Sequence, residues 1–96
     1  MIEVMVMSSS FTVQIGTQTV TPKVEDKGNQ QKITFQVKIT SYLGKPVDQT
    51  ISVEILCDKN KLVATSPFQP PQRVEKTPQE CVDEWVERHK NIYTFE

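Results

Sequence analysis

Glycine is scarce in this chain, at three of 96 residues, and Gly16, Gly28 and Gly44 stand far apart. A phosphate-cradling loop needs several glycines close together so that backbone N–H groups can approach the anion, and none can be written here. Cysteine is limited to Cys57 and Cys81 and histidine to His89. Two cysteines are too few for a disulfide-built scaffold, and their spacing fits no zinc pattern. Long hydrophobic runs are missing as well: nothing nears the ~18 apolar residues of a membrane span. The opening Met1-Ile2-Glu3-Val4-Met5-Val6-Met7 carries an acid and no basic stretch, unlike a secretory signal, so a soluble product is expected, with the cytoplasm favoured. Eleven basic against twelve acidic side chains leave a net charge of -1, too balanced to draw the chain to nucleic acid or anionic lipid. Neither nucleic acid nor a membrane is expected as a partner.

What is present is alternation. Phe11, Val13 and Ile15 interleave with Thr12 and Gln14, which is the period of a half-buried strand. Thr17 to Thr21 continue in extended style until Pro22, and Asp26-Lys27-Gly28-Asn29 reads as a turn. Ile33, Phe35, Val37 and Ile39 share one face of the next strand, and Ile51, Val53, Ile55 and Cys57 repeat the pattern after a break at Leu43-Gly44-Lys45-Pro46. A short strand is expected over 62–65. Ser66 to Arg73 holds three prolines within five residues, which favours an extended connector, assigned to 66–76, and its Pro67-x-x-Pro70 pair is a weak signal for an aromatic groove.

A helix is predicted over 78–90. Thr77 is a good N-cap, Pro78 suits the first helical position and Glu80 completes a capping box. Cys81, Val82, Trp85, Val86 and His89 fall on one face, with acids early and Arg88, His89 and Lys90 late, as the helix dipole prefers. Residues 92–96 alternate again and read as a terminal strand. These elements amount to one domain over 1–96, with residues 1–10 as a flexible lead-in. The class is mainly β, as an immunoglobulin-like sandwich or a two-layer α+β arrangement of five to seven strands with the helix over one open face.

The stretch Lys-Ile-Thr-Phe-Gln-Val-Lys-Ile-Thr-Ser-Tyr-Leu-Gly-Lys-Pro-Val from Lys32, followed by Ile-Ser-Val-Glu-Ile from Ile51, resembles the central part of bacterial immunoglobulin-like domains. There, a strand of this alternation leads through a Gly-x-Pro-Val turn, here Gly44, Pro46 and Val47, to a second strand. The resemblance spans residues 32–57 and implies a β-sandwich that serves as a spacer or adhesive module and shares no catalytic residues. After Pro67 the chain departs from that pattern, because the capped helix stands where strands are expected.

The chemistry-bearing residues are sparse. Cys81 and His89 are eight positions apart on one helical face, a rise of about 12 Å, so they cannot ligate one ion. A thiol in the first helical turn has a lowered pKa, which makes Cys81, with His89, the basis of an alternative reading as a small enzyme or redox protein. Glu80, Asp83 and Glu84 oppose the thiolate. No cofactor and no metal is expected, and Cys57 and Cys81 pair only if their Cα atoms come within ~7 Å. The unusual feature is Val4 to Pro22, which holds no charged side chain in a protein that is 24% charged. Natural strand edges are guarded by lysine, proline or bulges. An unguarded edge of this kind suits strand addition, so the leading expectation is a non-enzymatic protein-binding or assembly module. Its interface residues would be Phe11, Thr12, Val13, Gln14, Ile15, Thr17 and Thr19, meeting a protein partner or a second copy. A secreted adhesive domain is the further alternative, favoured by a Cys57–Cys81 bond.

Overall fold

The structure is a computed structural model that describes residues 11–64 and 66–96. The expected flexible lead-in and the charge-free residues 4–10 lie outside the described residues. Among the described residues the chain is mainly β, with one helix and eight strands rather than five to seven. Its centre is a long antiparallel hairpin of β4 (Gln30–Tyr42) and β5 (Lys45–Asp58). The expected break at 43–46 shrinks to a two-residue turn, Leu43 and Gly44, both at positive φ (52° and 81°). That conformation matches the right-handed twist of the flanking strands and joins them without splaying. Between Ile39 and Ser41 the register shifts at a bulge.

The two ends of one flank of β4 have different partners. β3 (Lys23–Lys27) pairs with its first half, Lys23 opposite Thr34 through Lys27 opposite Gln30, and the Gly28-Asn29 turn links the two. The Asp26 carboxylate accepts from the Gly28 N–H at 2.9 Å and from Lys59 Nζ at 2.7 Å, and the lysine above all holds its pKa below the ordinary value. β8 (Tyr93–Phe95) pairs with the far end, Tyr93 opposite Tyr42 and Phe95 opposite Ile39. Neither strand pairs with Lys38, although the Glu96 N–H, just past β8, donates to its carbonyl at 3.1 Å. There the Gln18 side chain takes the place of a peptide group: its Nε2 donates to the Lys38 carbonyl and its Oε1 accepts from the Lys38 N–H, both at 2.9 Å.

Gln18 belongs to a hairpin of β1 (Val13–Ile15) and β2 (Gln18–Val20), so this amide also fixes the hairpin to the sheet. Replacing it by alanine removes the Gln18 partner of the Lys38 N–H and one of the two donors to its carbonyl, which keeps the Glu96 N–H. Gln18→Ala is therefore expected to cost about 1–2 kcal/mol, moderated by access of water to this exposed site. A denaturation midpoint equal to the parent's would show that the amide does not close the gap.

One face of the sheet is covered. Ile33, Phe35, Val37, Val53 and Cys57 are buried there, together with Val13, Ile15 and Val20 of the small hairpin and Cys81 and Val82 of α1 (Pro78–His89). The opposite face, with Gln36, Lys38, Thr40, Ser52 and Glu54, is exposed. This explains the period-two pattern, since an antiparallel sheet can keep one face wet. α1 begins as expected: the Thr77 side chain accepts from the Glu80 N–H and the Glu80 carboxylate accepts from the Thr77 N–H. Trp85 lies over Phe35 edge-to-face, with ring centroids 5.7 Å apart. A disulfide joins Cys57 to Cys81, with 6.2 Å between their Cα atoms, and staples the start of α1 to the end of β5.

Inside that covalent loop lies the arm that sequence patterning described differently. The chain expected to be a connector contains β7 (Gln72–Glu75), which pairs with β6 (Asn60–Val63) from Asn60 opposite Glu75 to Val63 opposite Gln72. The reason lies beyond Pro71: the prolines occupy the hairpin's loop, where missing N–H groups cost nothing, and the strand starts after them. The arm is tied to the helix by the Lys61–Glu80 ion pair, which holds the Glu80 pKa below its ordinary value, with the Thr77 amide assisting.

Candidate interaction edge

The β1–β2 hairpin turns through Gly16 and Thr17, and Gly16 is required there twice over. Its φ is +65°, and a Cβ would stand 2.2 Å from the main-chain O of Glu96. Thr17 N–H donates to that same oxygen at 2.7 Å, so the turn is docked against the end of β8. With a two-residue turn, Ile15 and Gln18 form the innermost pair and exchange backbone hydrogen bonds. The antiparallel alternation then directs the N–H and C=O of Gln14 away from β2. Among the described residues, no strand pairs with that outer side of β1.

The seven expected interface residues divide by face. Val13 and Ile15 are core residues, 5% and 1% exposed, and Phe11 packs half-buried beside them. Thr12, Gln14, Thr17 and Thr19 are exposed. What this strand offers a partner is its backbone and the Thr12 and Gln14 side chains, while its apolar side chains anchor it. No lysine, aspartate or glutamate stands within the hairpin to guard it, whereas β3, another edge, carries Lys23, Glu25, Asp26 and Lys27.

The residues of the redox reading are placed apart. Cys81 is bonded to Cys57 and is buried. His89 stacks on Trp85 at 4.3 Å, and its Nδ1 lies 2.7 Å from the Trp85 carbonyl oxygen. Its ring continues into Tyr93 and from there to Tyr42, at 6.1 and 5.5 Å, as one aromatic row along the helix and β8. Among the described residues no three His, Cys, Asp or Glu side chains converge as metal ligands, and no helix is long and apolar enough to cross a membrane. A cleft of about 450 Å³ beside Lys59, Asn60, Glu75 and Lys76 is polar. Two of its charges are already engaged, Lys59 by Asp26 and Lys76 by Glu84.

Sequence patterning did not single out the second open edge. β5 pairs with β4 on one side, and among the described residues nothing pairs with the other. Fourteen residues of strand, some 45 Å of backbone, run along that side. Comparison with protein-family models, with curated proteins and with solved structures found no match.

Proposed function

We propose that this domain is a non-enzymatic protein-binding or assembly module that meets a protein partner, or a second copy of itself, along the open edge of β1. The observation that carries this reading is the outer side of Val13–Ile15, unpaired among the described residues, free of charged guards and fixed in place by the buried Val13 and Ile15. Strand addition uses backbone groups for affinity and alternate side chains for selectivity, and an edge anchored by its own core side chains is already ordered for it. The test is Gln14→Lys, which adds the charge that natural edges use as a guard and leaves the core face alone. The variant is expected to keep the parent's circular dichroism and denaturation midpoint and to lose self-association, or partner capture, by light scattering and size exclusion. An unchanged oligomeric state together with unchanged partner binding sinks the proposal.

A second reading has its own support. Extracellular and periplasmic proteins keep disulfides that the cytosol reduces, so the Cys57–Cys81 bond favours a secreted adhesive or spacer domain over a cytoplasmic one. The resemblance of residues 32–57 to bacterial immunoglobulin-like domains falls on the β4–β5 hairpin and points the same way, toward a β-sandwich relative used as a spacer or for adhesion. Thiol titration of the protein purified from its natural source without reductant decides between the compartments. A secreted domain shows no free thiol until it is reduced, whereas a cytoplasmic one titrates both cysteines at once.

A further inference from the structure

We infer that the outer side of β7 pairs with β7 of a second copy about a two-fold axis at Val74, so that the two arms join into one four-stranded antiparallel sheet. This contact is independent of the β1 edge. The arm is a two-stranded ribbon in which every residue of β7 is exposed, and Val74 and Leu62, on its opposite faces, stand 41% and 69% exposed. A ribbon of two strands is marginal in water, and further strands are what stabilise it.

The phase of the ladder fixes which backbone groups are free. Lys76 N–H donates to the Lys59 carbonyl at 2.7 Å, and the next pair along the arm is Asn60 with Glu75. By the alternation of an antiparallel ladder, the N–H and C=O of Glu75 point away from β6, those of Val74 toward it, and those of Arg73 away again. Among the described residues no strand pairs with that outer side. Placing Val74 opposite its own copy sets Arg73 opposite the second copy's Glu75, where the free groups meet. Each Arg73 then exchanges both backbone hydrogen bonds with a Glu75, and the axis repeats the exchange. The two Val74 side chains meet at the centre in the closer, non-hydrogen-bonded pair.

Charge selects both the register and the occupant. Side chains directly opposite one another share a face, so a guanidinium meets a carboxylate on each side of the axis. An axis at Arg73 or at Glu75 opposes like charges, and one at Gln72 sets Arg73 against Pro71, which has no N–H to give. Both charges are available: neither Arg73 nor Glu75 forms an ion pair among the described residues, and Asp58, which lines a cleft with Arg73, accepts from Gln30 Nε2 at 3.0 Å instead. β3 has the same basic, apolar, acidic order in Lys23-Val24-Glu25, but there Glu25 is paired with Lys27 at 3.4 Å and Pro22 withdraws a donor. A strand that fits β7 must present the inverse charge order, and a second copy running antiparallel supplies it by symmetry.

The contact is short, so self-association of the intact, oxidised protein is followed by sedimentation equilibrium up to ~1 mM. The parent is expected to dimerise, with exchange of the Arg73 and Glu75 amides slowing as concentration rises while the Val74 amide, already bonded to β6, changes little. Arg73→Glu and Glu75→Arg should each weaken the dimer roughly tenfold, because each sets like charges opposite one another in both pairs, and an equimolar mixture of the two variants should recover it. Gln14→Lys should leave this contact as it is, so that failure here and failure of the β1 proposal are told apart. The pairing is ruled out if the parent stays monomeric at ~1 mM, if Gln14→Lys abolishes the dimer, or if the charge variants dimerise as the parent does. It is ruled out as well if the mixture recovers nothing while both variants keep the parent's circular dichroism. Should either variant fail to fold, exchange at Arg73 and Glu75 of the parent decides: slowing with concentration supports the pairing, and no change refutes it.

Discussion

Trp85→Ala is expected to lose about 3 kcal/mol of stability, the low end for deletion of a core aromatic. The value is at that end because the ring is half-buried rather than enclosed, with one face stacked on His89. Its edge meets Phe35 at 5.7 Å and its flank meets Phe95 at 5.8 Å, so removal takes away the contact that seats α1 on the sheet and one that holds β8 beside it. A domain of this length has about 5 to 14 kcal/mol in total, so one side chain carries a large share. Trp85 is the only tryptophan, and the variant must be followed by far-ultraviolet circular dichroism through a denaturant titration. A loss below ~1 kcal/mol would mean that the helix is held by the disulfide and the ion pairs rather than by its aromatic face.

The helix was legible in the sequence because several local signals agreed on its start. Thr77, Pro78 and Glu80 each act within one turn, and their chemistry does not depend on what lies nearby in space. β4 and β5 were legible for a related reason: a sheet with one wet face imposes alternation along each strand. β3 was hidden by the same logic in reverse. Four of the five residues in Lys23–Lys27 are charged, which reads as a turn, yet charge is what a flanking strand exposed to solvent carries.

The role of Gln18 was not legible at all. Nothing local distinguishes a glutamine that imitates a peptide group from one that faces water, since the partner, Lys38, is twenty residues away. The candidate site divides similarly. The missing charges of residues 4–22 pointed to an edge in that segment from composition alone, and β1 is the part of it that the structure describes. The open side of β5 appeared only in the topology, which leaves it unpaired among the described residues.

The disulfide carries the other large effect. Reducing it, or replacing both cysteines by alanine, is expected to cost about 3.5 kcal/mol, the loop-closure value for a cross-link of this span. The two cysteines are 24 positions apart, and the loop they close contains the whole β6–β7 arm. With the bond intact, the unfolded chain cannot separate β5 from the start of α1, so the stabilisation acts largely on the unfolded state and the native contacts need not change. The reduced protein should keep its spectrum in water and unfold at lower denaturant, with the oxidised midpoint restored on reoxidation. The arm should respond most, because among the described residues its base is then held to the rest by surface contacts: Lys61 with Glu80, Lys76 with Glu84, and Lys59 with Asp26 and the Asn29 carbonyl. Hydrogen exchange resolves this: amides of residues 60–75 should open well before those of β4. If the midpoint is the same with and without reductant, the Cys57–Cys81 bond does not form in the native protein, and the case for an oxidising compartment falls with it.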